Sequence, residues 1–264
     1  MICSELHDHF RERGTWVDWD RATDRFTAGD PSRAVTKVAV SWKASLEALR
    51  VAHERGAELF VSHESICVKA VNGADGPERQ FALPTEAAKF EWLDETGMVV
   101  YRCHDFWDRY PGTGVRDSWR DGLALEGEVI ADAYPLYVTR VASVRLDALA
   151  RHVLGKIRDL GQDGVLVTGD GAREVTRVAT GTGVTVDPPR MKELGAEVGV
   201  LTCDYYLHVR MGVHAAELEF PTILVDHGVA EEWGVRNLAT YLAGQFPGLE
   251  VFHIPYRCGF RVLA

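Results

Sequence analysis

No apolar run in this chain approaches the roughly 20 residues that a membrane helix requires. The opening stretch MICSELHDHFRERG is polar and of mixed charge, which is not the pattern of a secretory signal. Basic residues are in deficit: 29 Lys and Arg stand against 39 Asp and Glu, a formal charge of −10. A nucleic-acid binder needs a basic face to displace counterions, so no nucleic-acid partner is expected. The same imbalance disfavours docking on anionic membrane. Cysteine is sparse. The five residues (Cys3, Cys67, Cys103, Cys203, Cys258) are odd in number, widely spaced and without a CxxC, which excludes a disulfide framework and a structural zinc spacing. Reduced thiols and a cytoplasmic location are the expectation. The Walker lysine is missing from Gly169-Asp170-Gly171, and Gly181-Thr182-Gly183 lacks the third glycine of a dinucleotide fingerprint, so both read as turns. No Ser/Pro/Gly-rich stretch is long enough for a flexible tether.

What is present is ordinary globular composition, 46 % apolar and 26 % charged, and a faint repeat. VTKVAV at Val35–Val40 recurs as VTRVAT at Val175–Thr180, an offset of 140 residues. GAELFV at Gly56–Val61 recurs as GAEVGV at Gly195–Val200, an offset of 139, so one deletion keeps the copies in register. Each copy reads as strand, helix, Gly-Ala-Glu, strand, which is a βαβ unit. In the first copy Ser45 suits an N-cap, Leu46 and Leu49 share a face, and Gly56 stops the helix. In the second, Pro188–Leu194 is the helix. The expected fold is α/β, one domain of two related halves, about 26–130 and 165–264, with 131–164 connecting them. Further strands are expected at Leu59–Ser62, Val99–Cys103, Tyr134–Val144, Ile223–Asp226 and Glu250–Ile254. Helices are expected at Phe90–Gly97, Val115–Leu123 and Arg145–Leu160.

Acids and histidines gather where these strands give out, which is where open α/β sheets build sites. Leu59–Ser62 ends in His63-Glu64. Val99–Cys103 ends in His104, with Asp108 four residues on. Ile223–Asp226 ends in His227, with Glu231 four residues on. A helical turn after each His places imidazole and carboxylate on one face, as a divalent ion requires. Each motif alone is usually a surface pair; the shared position is what favours a metal site. The repeat sets Thr202-Cys203-Asp204 opposite Ser62-His63-Glu64. A Cys nucleophile is the competing reading, but Cys103 and His104 point to opposite faces of their strand, and inert burial fits better. His7 and His9 read as part of a solvated N-terminal helix and His53 as a helix-face residue. His208 and His214 read as surface loop, with lining of the site as the alternative. His152 and His253 carry no site context. Trp107 and Trp119 flank the loop Pro111–Gly114 as packing anchors or a stacking surface.

The order of Gly29-Asp30-Pro31, VTKVAV, GAELFVSHES, YRCHDFWD, GTGVRDSWRDGLAL and LVDHGVAEE resembles the NIF3-like (DUF34) family of dinuclear metal centre proteins, over about Phe26 to Phe260. The resemblance implies two halves facing each other across a metal site. It implies two divalent ions (Mn, Fe, Zn or Mg) held by His63, Glu64, Asp108, His227 and Glu231, with Glu231 as bridge and His104 as a catalytic residue beside them. It implies a metal-dependent hydrolase, GTP cyclohydrolase type 2-like, acting on a small polar or nucleotide-like substrate. A non-enzymatic metal-binding, metal-insertion or ring-forming protein is the alternative. A homo-oligomer, a hexameric ring, is the expected assembly. One departure matters: Glu64 stands where the family has histidine, which leans the site towards Mn, Fe or Mg relative to Zn.

Overall fold

The structure, a computed structural model, describes residues 1–67, 83–183, 187–203, 213 and 215–263. Asp204, His208 and His214 lie outside the described residues. The chain divides into two compact units, Met1–Gly114 with Val235–Pro255, and Val115–Gly234 with Tyr256–Ala264.

The first unit opens with α1 (Ser4–Arg13) and is built on a five-stranded sheet. Its order is β1 (Arg25–Ala28), β4 (Val99–Arg102), β3 (Leu59–Ser62), β2 (Lys37–Ser41) and β11 (Glu250–His253). All pairs are parallel except β1–β4. Strands buried on both faces read as unbroken apolar runs, and every residue of β3 is buried. Helices α2 (Leu46–Glu54) and α3 (Pro84–Thr96) supply Leu49, Phe90 and Leu93 to a core with Phe60 and Val100. Ser45 caps α2 as its sequence suggested, its hydroxyl accepting from Ala48 N–H at 3.1 Å.

The second unit holds a six-stranded sheet of order β5 (Gly127–Ala133), β6 (Leu136–Arg145), β8 (Glu174–Thr180), β9 (Val198–Cys203), β10 (Thr222–Asp226), β7 (Leu166–Thr168). β8, β9 and β10 are parallel, and the outer strands join antiparallel. Helices α5 (Val115–Leu123) and α6 (Leu146–Ile157) pack Trp119, Leu123, Leu149 and Val153 against Val178, Val198 and Val225. A short helix α7 (Pro188–Glu193) stands between β8 and β9. The helix His227–Gln245 begins in the second unit and ends in the first.

The repeated words form the same device in both units. Glu58 Oε2 accepts from Thr36 N–H at 2.7 Å, Thr36 Oγ1–H at 3.0 Å and Lys37 N–H at 3.4 Å. Glu197 Oε2 accepts from Thr176 N–H at 2.7 Å, Thr176 Oγ1–H at 3.0 Å and Arg177 N–H at 3.2 Å. The preceding glycines both adopt positive φ, +81° at Gly56 and +85° at Gly195, which L side chains rarely take. β2 pairs with β3 at Val38↔Leu59, and β8 with β9 at Val178↔Val198, the register the repeat predicts. In each unit burial alone would raise the glutamate pKa, but the threonine donors overcome it and hold the carboxyl below its usual range.

Several boundaries differ from the sequence reading. The helix expected at Phe90–Gly97 starts earlier, with Pro84 in its first turn, and ends where Gly97 turns left-handed at φ +64°. The strand expected at Tyr134–Val144 is β6, and β5, which was not anticipated, precedes it as its antiparallel hairpin partner. Edge strands β1 and β7, of four and three residues, were not anticipated. His7 and His9 do lie in an N-terminal helix but are half-buried, not solvated. His7 Nδ1 meets Tyr101 Oη at 2.9 Å and His9 Nε2 meets Tyr241 Oη at 2.8 Å. Trp107 and Trp119 are buried packing anchors. Among the described residues, no helix is long and apolar enough to cross a membrane.

Candidate metal centre

In the first unit the sheet delivers His63 and His104 side by side. His63 follows β3, and its backbone N–H still bonds Ser41 O at 3.2 Å, so the strand pairing carries the residue to the sheet's end. The imidazole is fully buried. Its Nδ1 lies 3.0 Å from the carbonyl of Cys103. A carbonyl only accepts, so the proton in this contact belongs to Nδ1. Nε2 lies 3.4 Å from Asp108 Oδ1. A histidine anchored through one nitrogen to a backbone carbonyl is the arrangement that orients the other nitrogen for a metal.

His104 follows β4 by two residues, and its ring stacks on His63 at 4.7 Å and 11°. One turn of helix, α4 (Asp105–Asp108), follows, and Asp108 N–H returns to His104 O at 2.8 Å. This turn brings Asp108 Oδ2 to 3.6 Å from His104 Nδ1, the one-face placement that the four-residue spacing predicts. The turn is held from outside. Buried Asp24 accepts the backbone N–H groups of His104, Asp105 and Phe106 at 3.0, 2.6 and 3.3 Å. Sequence reading missed Asp24, because only the antiparallel pairing of β1 with β4 brings a residue 80 positions away to this turn.

Glu64 faces the other end of the His104 ring, its Oε1 3.7 Å from Nε2. Arg102 Nη2 donates to Glu64 Oε2 at 3.3 Å. The electrostatics follow from this crowd of acids. Burial opposes protonation of His104, but Asp108, Asp105 and Glu64 overcome it and hold its pKa well above the usual value. Burial would raise Asp105, yet bonds from His104 and Thr23 depress it strongly. Burial, reinforced by Asp24 and Asp108, pushes the Cys103 thiol well up, which leaves it un-ionised and unsuited to act as a nucleophile.

His63, His104 and Asp108 each offer a ligand atom, all within 4.8 Å of one another. Imidazole nitrogen and carboxylate oxygen without thiolate suit divalent ions of the Mn, Fe or Zn kind, so the donor set fits a metal. In the second unit β10 ends at Asp226, whose Oδ1 accepts Val229 N–H at 3.1 Å and caps the helix His227–Gln245. Its first turn sets His227 Nε2 2.9 Å from Glu231 Oε1, again as the spacing predicts. Both residues are buried. Away from these groups, His53 packs edge-on against Trp92, and His152 Nε2 bonds Leu123 O at 2.7 Å.

No curated protein matches the chain. Among solved structures, a Bacillus cereus protein related to NIF3 superposes with a TM-score of 0.77 at 14 % identity, covering 100 % of this chain and 99 % of that one. The Staphylococcus aureus hypothetical protein SA1388 gives 0.73 at 16 % identity over 99 % and 97 %. Reduced HcgD from Methanocaldococcus jannaschii gives 0.69 at 15 % over 97 % and 98 %. These similarities establish the fold. The profile of Duf34/NIF3 (NGG1p interacting factor 3) matches residues 17–258, and the chain belongs to that family.

Proposed function

We propose that this protein is a divalent-metal-dependent hydrolase of a small polar or nucleotide-like substrate, with two ions held by His63, Glu64, Asp108, His227 and Glu231. The observation that carries the reading is His63: buried, anchored through Nδ1 to a carbonyl, and aimed through Nε2 at Asp108. A bound divalent ion supplies Lewis acidity and a water of lowered pKa. The chain's own part is to hold and move a proton. His104 stands between Asp108 and Glu64, a placement that suits a group passing a proton to a leaving atom. Asp105, its carboxylate held by Thr23, faces His104 Nδ1 at 3.7 Å and orients the ring.

Elemental analysis of gently purified protein, followed by hydrolysis assays on nucleotide and phosphoester panels, tests the reading. Asp108→Asn is expected to lose metal and turnover while keeping its circular dichroism spectrum. Metal retained by Asp108→Asn overturns the ligand assignment. Metal bound without turnover on any substrate overturns the hydrolase and leaves a metal-holding protein.

A further inference from the structure

The face that α3 buries is only half apolar. Its buried residues are Glu86, Lys89, Phe90 and Leu93, one helical stripe. Lys89 is 7 % exposed and Glu86 2 %. Lysine is almost never buried this far without an acidic partner. Lys89 Nζ instead donates to Ile66 O at 2.6 Å. A second ammonium comes to the same short stretch. The parallel pairing of β2 with β3 runs on past both strands, with His63 N–H on Ser41 O and Glu64 N–H on Trp42 O, and so lays Lys43 beside Ser65. Lys43 Nζ donates to Ser65 O at 2.8 Å and to Cys67 O at 3.5 Å. Every hydrogen-bond partner of the two ammoniums is thus a carbonyl of residues 65–67, and among the described residues neither ammonium forms an ion pair.

Carbonyl dipoles soften a buried charge but do not cancel it. Burial lowers the pKa of both lysines below the usual range; Glu64 opposes this at Lys43, and the charge of Lys43 adds to it at Lys89. Among the described groups that act on one another here, the cations Lys43, Lys89 and Arg102 outnumber the carboxylates Glu64 and Glu86, in a chain whose formal charge is −10. The excess lies next to the candidate metal centre, because Ser65 N–H donates to Glu64 Oε2 at 3.2 Å. Lysine binds phosphate as a point charge, and two ammoniums on one short stretch match a group that carries two negative charges. Resting on the function proposed above for what carries the group, we propose that Lys43 and Lys89 form a phosphate-binding subsite at residues 65–67, beside Glu64. Lys43, the half-buried one of the two, makes the contact. Lys89 stands behind it as buried charge and holds the Ile66 carbonyl.

The test is titration of the full chain with inorganic phosphate in the presence of a chelator, followed by calorimetry, so that no metal ion can hold the anion. The wild type is expected to bind phosphate saturably at one site. Lys43→Gln is expected to weaken binding by about tenfold or more, the loss of one charge-assisted bond, while Lys43→Arg and the exposed Arg50→Gln stay close to the wild type. A wild type that binds no phosphate at millimolar concentration overturns the proposal, a result that needs no variant to fold. So does a Lys43→Gln chain with wild-type circular dichroism and wild-type binding, and so does a loss of equal size in Arg50→Gln, which would mark diffuse charge. A nucleoside monophosphate reads the source of the group: uptake tighter than that of phosphate places it on an ester, equal uptake makes it free phosphate, and either supports the subsite. Mn²⁺ uptake without chelator separates the two readings. A wild type that takes up no Mn²⁺ but binds phosphate overturns the metal reading and supports the subsite.

Discussion

Asp24→Ala removes the acceptor for three consecutive backbone N–H groups at the turn that carries His104 and Asp108, at 3.0, 2.6 and 3.3 Å. At about 1 kcal/mol net per bond, the loss is about 3 kcal/mol when the carboxyl is neutral in both folded and unfolded chains. Burial, with Asp105 adding repulsion, pushes the Asp24 pKa up to about 7, against the pull of His104 and the backbone donors. A carboxyl with a raised folded pKa is penalised as pH climbs: the unfolded chain ionises first, and the penalty is complete above about pH 7. At about 1.4 kcal/mol per pH unit, some 2–3 kcal/mol of the wild-type advantage disappears between about pH 5 and pH 8. The Ala variant's deficit is therefore largest in acid and shrinks towards neutrality. Unfolding followed by tryptophan fluorescence at several pH values reads this through Trp16, Trp19 and Trp107 of the same unit. Hydrogen exchange at the amides of His104, Asp105 and Phe106 is expected to quicken in the variant. A deficit that stays level or grows from about pH 5 to pH 8 refutes the reasoning, because the carboxyl would then be ionised throughout.

The twin clips allow a matched pair of tests. Glu58→Gln and Glu197→Gln should each cost about 1 kcal/mol at neutral pH. Each loss should vanish in acid, since a depressed carboxyl stabilises above its ordinary pKa and stops as pH falls through the folded value; unequal pH dependence in chemical unfolding would count against a shared device. Gly122→Ala would drive a methyl into the indole of Trp233, so the second unit should lose about 1–3 kcal/mol in calorimetry. A hexamer is expected from light scattering at micromolar protein, and a mass near 29.3 kDa under all conditions rules it out.

The sequence alone determined the local devices. Thr36 and Glu58, Thr176 and Glu197, Gly56 and Gly195 recur because one strand–helix–strand unit needs the same clip and the same left-handed turn each time it is made. The four-residue spacings His104–Asp108 and His227–Glu231 were legible because a single helical turn fixes them. Their position at strand ends followed from the apolar runs before them. What only the tertiary structure decided depends on which strands become neighbours. β1 pairs with β4, and this puts Asp24 under the turn of His104; no local pattern encodes a partner 80 residues away. β3 beside β4 stacks His63 on His104 and lays Arg102 against Glu64. In the sequence Glu64 was only an acid in a histidine's place. In the fold it is an acid held by a guanidinium, because parallel register, not residue type, sets what stands across from it.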